Sequence, residues 1–235
     1  MTDFLQLVKD TARESGTIPA YASITSVSGQ SGRVALFVEW VRQSYRDIQN
    51  ERNDWQWLVG EFEGTALEAT DTFASTDLNI DVDRFSHWIL PNNGLEYVTC
   101  YPTADGVSEE AFLIEFDYQT FKRRFKMGSE FAVTGRPSHF AITPQDKIVL
   151  YPTPNADHVI KGSYYKGPQT LSTDKEQPEM PRRFHEAIMW GALVYMCTHD
   201  EAFEQIQIFQ SRYDAVKKMM VLRNTPNLEL GGPLA

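Results

Sequence analysis

The stretch NDWQWLVGEFEGTALEA, residues 53–69, marks the point where the sequence pattern changes from helical to extended. Before it, Arg33 to Glu51 carries apolar residues three and four positions apart, the spacing of one buried helix face; these are Val34, Phe37, Val38, Val41, Tyr45 and Ile48. From Val59 onward, short aromatic and β-branched segments alternate with turn sequences such as PNNG, ADG, TPQD and TPNAD. That pattern is typical of β-strands. The stretch therefore predicts the end of a helix, with Asp54 capping a short turn, and the start of a β-rich region.

Further helices are predicted on both sides of this region. A first helix starts at Thr2 or Asp3 and ends at Gly16, because these residue types cap helices. After the loop STDKEQPEMP, Phe184 to Cys197 is almost continuously apolar, which predicts a buried helix. Thr198 and Glu201 have the spacing of a capping box that would start the last helix. That helix carries apolar residues at spacings of 4, 3, 4, 3 and 4, as in a heptad seam: Ala202, Ile206, Phe209, Tyr213, Val216 and Met220.

This order predicts an α+β fold, in which a helical bundle formed by the N- and C-terminal helices carries an inserted antiparallel β-rich domain. The expected parts are 1–58, the N-terminal helical part; 59–172, the β-rich insertion; 173–223, the C-terminal helices; and 224–235, a flexible tail. One short helix, DYQTFKRRFKMG, is expected inside the insertion, with Asp117 as its cap.

The composition is that of an ordinary soluble protein, with 42% hydrophobic residues and a net charge of −10. An acidic chain disfavours broad binding to a phosphate backbone, although it is compatible with nucleic acid sliding past. No run approaches the ~20 apolar residues that cross a bilayer. The N-terminal sequence MTDFLQLVKDTARESG carries acids, unlike a secretory signal or a transit peptide, so the protein is expected to stay where it is made. Two cysteines, Cys100 and Cys197, are expected to be reduced thiols.

The segment DLNIDVD, Asp77 to Asp83, places an acid or amide at every second position. As an EF-hand loop it fails, because the sixth and twelfth positions are Val82 and Trp88 instead of glycine and glutamate. Its strict alternation predicts a half-buried strand with one acidic face, and a cation site of another kind stays open as an alternative. From Val59 to Asp83 there are seven acids and no lysine or arginine.

A second group of polar residues has side chains suited to a metal site. The residues His185, Cys197, His199, Asp200 and Glu201 are potential metal ligands, but Met189 breaks the zinc pattern H-E-x-x-H. On one helix, the two histidines would lie ~21 Å apart. Structural roles are therefore favoured, and no metal or cofactor is expected.

Two further segments resemble functional motifs but also fit structural roles. SGQSGR, residues 28–33, lacks the Lys-Ser/Thr pair of a phosphate loop and is interpreted as a glycine-containing helix start. The basic segment KRRFK is interpreted as a solvated helix face or as a contact patch for an acidic partner or DNA; its cations are Lys122, Arg123, Arg124 and Lys126.

Several segments, in this order, resemble the head-to-tail adaptor proteins of tailed bacteriophages, also called connector or tail tubular A-like proteins. They are GRVALFVEWVRQSYRDIQNERNDWQWL, GRPSHFAI, IVLYPTP, YYKGPQTL and PEMPRRFHEAIMWGALVYM, spread from about Gly32 to Met196. The resemblance implies a structural virion protein with no catalytic residues. Twelve copies would form a ring beneath the portal protein, in the neck between portal and tail, around a channel that double-stranded DNA passes. A downstream tail or nozzle protein would bind below it, and synthesis would take place in the host cytoplasm.

The resemblance also suggests which residues make contacts. The C-terminal tail would dock on the portal; its candidate residues are Asn224, Thr225, Pro226, Asn227, Leu228, Glu229, Leu230, Leu234 and Ala235. An acidic surface would line the channel, with Asp77, Asp81 and Asp83 as candidates. The first helix and residues 91–108 lie outside the resemblance.

Two other functions are kept as alternatives. A carbohydrate- or protein-binding module would use exposed aromatic residues, for which Trp88, Tyr97 and Tyr101 are the candidates. An enzyme would pair a histidine with a nearby aspartate; the candidates are His139 or His158 with Asp146 or Asp157.

Overall fold

The computed structural model describes residues 2–18, 23–52, 54–90 and 98–224 of the chain. It divides into two compact units, one of Met1–Trp57 with Pro168–Ala235 and one of Leu58–Gly167. The first is helical and the second contains the strands, which confirms the predicted α+β class with an inserted β-rich domain.

The helical unit is built from α1 (Phe4–Ser15), α2 (Gly32–Asn50), α4 (His185–His199) and α5 (Phe203–Asn224). Helix α4 packs against the other three. It occupies this central place because its sequence has no polar face, and it is buried along nearly its whole length, as predicted. Helices α1 and α2 contribute Phe4, Phe37 and Val41 to the core, all fully buried.

The helix ends show which predicted caps form. Asp3 caps α1, since its Oδ1 accepts a hydrogen bond from the backbone N–H of Gln6 at 2.8 Å, and Gly16 ends the helix in the left-handed conformation.

The predicted capping box at Thr198 and Glu201 is wrong. Thr198 lies in the last turn of α4, where its hydroxyl donates to the carbonyl of Val194 at 2.9 Å. A threonine hydroxyl can bond back to the preceding turn as readily as it can start a new helix.

In its described residues, 58–90 and 98–167, the inserted unit contains short strands in three sheets. The strands are β1 (Val59–Ala66), β2 (Thr72–Phe73), β3 (Phe85–Trp88), β4 (Thr99–Pro102), β5 (Ala111–Phe112), β6 (Ile114–Glu115), β7 (Thr134–Gly135), β8 (His139–Ile142), β9 (Ile148–Tyr151), β10 (Thr153–Pro154) and β11 (His158–Lys166). One sheet has the order β1-β11-β4-β5, with β3 also paired to β11, and a second has the order β2-β9-β8-β6. The pairing is antiparallel except at β6–β8 and at β7–β10, which are parallel.

Strand β11 is the centre of the larger sheet and pairs with β1 along its whole length. Phe62 of β1 lies opposite Gly162, where an added Cβ would stand 2.8 Å from the Phe62 ring. The missing side chain thus leaves room for the ring, which is buried against Trp88 with the centroids 5.1 Å apart. Residues of both large sheets share this hydrophobic core, including Phe140, Leu150 and Ile160, all fully buried.

The short helix α3 (Tyr118–Phe125) lies within this unit, as predicted. Asp117 caps it, with Oδ2 accepting from the N–H of Thr120 at 3.0 Å. Phe121 and Phe125, one turn apart, are buried with residues of β8 and β9 in a smaller hydrophobic cluster.

The segment Asp77 to Asp83 is not a strand, so that prediction is wrong. Two 3-10 turns, Ser75–Leu78 and Val82–Arg84, occupy it instead, with Asn79 between them at φ 59°. The physical reason is local: Asp77 accepts a hydrogen bond from the N–H of Ala74 at 2.8 Å, and Asp81 from that of Asp83 at 3.0 Å. Aspartate side chains that capture nearby amides favour turns over a strand ladder.

Candidate functional surfaces

The acidic segment is exposed in the inserted unit, although its geometry differs from the prediction. The alternating acidic strand is β1, in which Glu61 and Glu63 are exposed while Phe62 is buried. Asp77, Asp81 and Asp83 are exposed as well, on the two 3-10 turns. Two of the acids are paired: Asp71 with Lys126, Nζ to Oδ2, at 2.5 Å, and Glu63 with Lys161, Nζ to Oε2, at 3.6 Å. The segment therefore presents mostly unpaired acids to solvent.

The basic segment divides into two kinds of residue. Lys122 and Arg123 are exposed on α3. Arg124 lies over the rings of Phe116 and Phe125, with Cζ 5.6 and 5.4 Å from the centroids. Lys126 is mostly buried in its ion pair with Asp71. Only the first two, and in part Arg124, can serve as a contact patch; Lys126 instead ties α3 to the start of β2.

The potential metal ligands around α4 have structural partners. Asp200 receives a bidentate pair from Arg33, one bond being 2.6 Å, and this pair holds the pKa of Asp200 well below its usual range. His199 joins it, with Nδ1 3.0 Å from the Asp200 carboxylate. His185 donates from Nε2 to the carbonyl of Met180 at 2.8 Å, and burial lowers its pKa. Cys197 is buried. Across the described parts of the chain, the histidines, cysteines and acids form no group of three or more suited to a metal ion.

The segment Ser28 to Arg33 forms the start of α2. Ser31 is the N-cap residue, Gly32 is the first helical residue, and Gly29 and Gly32 have φ of 68° and 58°. Arg33 follows directly and forms an ion pair with Asp200. The one cationic side chain of this segment, which a phosphate would need, is therefore already paired with a carboxylate.

The two described aromatic candidates for a binding module are not exposed. Trp88 and Tyr101 are buried, with 6% and 7% of their surface exposed, so the expectation of exposed aromatic residues is wrong for both. Trp88 is held by its indole N–H, which donates to the carbonyl of Asp146 at 2.8 Å. Tyr97 lies outside the described residues.

The candidate histidine–aspartate pairs have other partners. His158 is buried and bonds through Nδ1 to the carbonyl of Ala156 at 2.7 Å. Asp157 accepts from the N–H of Glu68 at 2.9 Å. His139 lies among the rings of Phe116, Phe125 and Tyr151, and burial lowers its pKa. Among the described residues, no hydrogen bond or ion pair joins His139 or His158 to Asp146 or Asp157. Burial raises the pKa of the Cys100 thiol to about 11, which disfavours the nucleophilic thiolate form.

The predicted tail begins one residue too early. Asn224 is the last residue of α5 and is buried. Its Oδ1 accepts from the N–H of Gln56 at 2.9 Å, and its Nδ2 donates to the carbonyl of Asp54 at 2.8 Å. The remaining tail candidates, Thr225 to Ala235, lie outside the described residues.

Helix α5 has a second apolar face that the sequence analysis missed. Its predicted seam faces the bundle and becomes most buried at Val216 and Met220. Ile208, Met219 and Leu222 lie on the opposite side and are 55%, 55% and 67% exposed. A signal was present, because Ile208, Ala215, Met219 and Leu222 recur at spacings of 7, 4 and 3. We call these four residues the outer face of α5.

Comparison with known proteins identifies what these surfaces belong to. A family model matches residues 2–231, almost the whole chain, and it defines the class: the protein is a phage adaptor, a structural component of the virion. The family is described as SU10 adaptor protein, and the chain belongs to it. A search of the curated proteins gave no match. Within the described ranges, no helix is long and apolar enough to cross a membrane.

Proposed function

We propose that the protein joins capsid to tail as a closed ring beneath the portal, in the virion neck, and that it acts by assembly instead of catalysis. The observation that carries this proposal is the family match over residues 2–231. Twelve copies is the number that the resemblance to head-to-tail adaptors implies. Its partners would be further copies of itself, the portal protein and a downstream tail or nozzle protein.

A ring needs two different, complementary faces on each copy. The outer face of α5 supports one of them, since exposed apolar residues in a row along a helix are unusual unless a partner covers them. We propose that Ile208, Met219 and Leu222 contact the neighbouring copy. Lys122 and Arg123 are proposed as a basic contact patch on the inserted unit.

We propose that acidic side chains of the inserted unit face the DNA channel. Glu61, Asp77, Asp81 and Asp83 are exposed, and the chain as a whole carries a charge of −10. Around a ring, such a surface would repel phosphates and let DNA pass without adhering. Tail residues Thr225 to Ala235 are proposed to dock on the portal.

The ring is tested by measuring particle mass with and without purified portal protein, by native mass spectrometry. A closed species with a defined copy number, bound to the portal, is expected. Met219→Asp with Leu222→Asp should reduce it, because each charge would be buried at the contact. Val107→Asp, at an apolar residue 57% exposed in the inserted unit, is the matched control. A chain that stays monomeric even with its portal contradicts the proposal.

The channel lining has a separate test. Cryo-electron microscopy of the portal-bound particle would show which surface faces the channel. Asp77, Asp81 and Asp83 on the outside would refute the lining while leaving the ring intact.

A further inference from the structure

A groove in the helical unit lies between α2, α4 and α5. It has a volume of about 310 Å³, and its walls include Asp47 of α2, Tyr195 of α4 and Tyr213 of α5. That volume is at the lower end of the range for ligand-binding pockets, so the groove suits one large side chain better than a drug-sized molecule. The two aromatic rings in its walls favour an apolar occupant.

Acidic side chains surround this groove. Burial, together with the nearby carboxylates of Glu51, Asp47 and Asp214, raises the pKa of Tyr213 to about 12. An occupant that brings positive charge to the edge of the groove would therefore be favoured.

The cations near the groove leave two of these acids unpaired. Lys217 binds Glu51, Nζ to Oε1, at 2.7 Å, and Arg46 donates to a neighbouring amide oxygen. Asp47 and Asp214 form no ion pair within the described part of the chain. Negative charge thus remains beside the groove.

The inserted unit carries an exposed apolar segment directly after α3. Residues 127–134 are all exposed, including Met127 at 60% and Phe131 at 63%. Glu130, in the middle of the segment, accepts a hydrogen bond from the hydroxyl of Tyr151 on β9 and so fixes it to the sheet. Large apolar side chains that are clustered and exposed in this way mark contact sites.

Positive charge accompanies this segment. Lys122 and Arg123 are exposed on the last turn of α3, and neither forms an ion pair with a described residue. The segment therefore combines an apolar surface with cations, which is the complement of an aromatic groove edged by acids.

We propose that Phe131 of one copy fills the groove of the neighbouring copy. The inference rests on the ring proposed above, and it names two faces of the chain that can build one. Lys122 and Arg123 then stand opposite Asp47 and Asp214 of the neighbour, where each unpaired charge meets its opposite.

The two halves of this contact are different surfaces of one chain, as a closed ring requires. Gln210 and Tyr213, which line the groove, follow Ile208 by two and five residues, so they lie roughly 140–160° around α5 from its outer face. A copy in the groove and a copy on the outer face therefore meet opposite sides of one helix.

The test is photo-cross-linking from residue 131 in the full-length chain. Phe131→Cys is labelled with benzophenone maleimide, which leaves Cys100 and Cys197 unlabelled because both are buried. The labelled chain is mixed with an excess of ¹⁵N-labelled wild type and with purified portal protein, irradiated and digested. Mass spectrometry then locates the joined peptides, and a pair of mixed isotope content comes from two copies.

We expect residue 131 to join peptides of α2, α4 or α5 that line the groove of the ¹⁵N-labelled copy. Val107→Cys, at a residue 57% exposed in the same unit, is the matched control. It should give roughly tenfold less of these products, since groups held in a contact reach effective concentrations in the millimolar range. Lys122→Gln with Arg123→Gln should lower the yield roughly fivefold, as for the loss of two exposed ion pairs, whereas Lys147→Gln should leave it unchanged.

Three results would overturn the proposal. Joined peptides from the portal would assign the segment to that partner, and peptide pairs without ¹⁵N would place it in the groove of its own chain. Equal products from Val107→Cys would show that residue 131 makes no specific contact. In each of these cases a ring detected by particle mass still stands, whereas a chain that stays monomeric with its portal ends the ring and the pairing together.

Discussion

Replacing Gly64 with alanine tests the packing of β1 on the turn that follows it. An added Cβ at Gly64 would lie 2.5 Å from the Cα of Leu78, whereas ordinary contact begins at 3.4 Å. The turn Ser75–Leu78 would have to move by roughly 0.9 Å, because the obstacle is backbone and no rotation of a side chain removes it. That turn carries Leu78, which is fully buried, and leads to Ile80, 5% exposed.

The expected cost follows from this displacement. Overpacking a well-packed core costs about 1–3 kcal/mol, and partial exposure of Leu78 adds about 1 kcal/mol. Loss of the glycine's freedom in the unfolded chain returns about 0.4–1 kcal/mol. We therefore expect Gly64→Ala to lower the free energy of unfolding of the inserted unit by about 2–3 kcal/mol.

Gly135→Ala is the matched control, because it makes the same chemical change in the same unit. Its added Cβ would meet only Pro152 at 3.7 Å, an ordinary contact, so we expect a change below about 1 kcal/mol. Urea unfolding would be followed by ¹⁹F signals of fluorotryptophan, since Trp88 is the one tryptophan between residues 58 and 167. Equal unfolding midpoints for the two variants would refute the reasoning.

Three further predictions concern the helical unit. Asn224→Ala should cost about 2–3 kcal/mol in urea unfolding, because it leaves the N–H of Gln56 and the carbonyl of Asp54 without partners. Leu222→Ala, at a residue that is 67% exposed, should cost less than about 0.5 kcal/mol, and equal costs would show that the two Asn224 hydrogen bonds do not stabilise the unit. The Arg33 pair holds the pKa of Asp200 below its ordinary value, so its stabilisation is present above about pH 4 and is lost as the pH falls further. Unfolding curves between pH 5 and pH 2 should therefore show a steeper loss for the wild type than for Asp200→Asn, and parallel losses would show that the pair contributes nothing. Elemental analysis should find no stoichiometric transition metal; about one zinc per chain, lost in His199→Ala, would show that His185, Cys197 and His199 do bind a metal.

The buried helices were predictable because their pattern is long and local. Phe184 to Cys197 has too few polar residues to face water on any side, and the structure buries it among three helices. The seam of α5 was predictable for the same reason. Its outer face was missed because a buried face is recognised by the difference in hydrophobicity between the sides of a helix. A second apolar stripe on the same helix reduces that difference.

The prediction failed where short polar side chains can form hydrogen bonds with nearby backbone groups in more than one local conformation. The alternation at Asp77 to Asp83 fits a strand, but two aspartates bind amides within three residues and turn the chain. The pairs Lys126–Asp71 and Arg33–Asp200 were not foreseen either, since each joins residues far apart in sequence. No spacing rule in a single sequence links such positions.

The insertion between Trp57 and Pro168 has a consequence for biosynthesis. Helix α2 ends at Asn50 and α4, which packs against it, begins at His185, so the ribosome adds about 134 residues between them. At 5–20 residues per second, that delay lasts roughly 7–27 s. Early folding of the inserted unit would not shorten this delay. It would bring residues 57 and 168 close together and so lower the entropy cost of joining the two helical halves. The inserted unit thus acts as an internal folding aid for the helices that enclose it in the sequence.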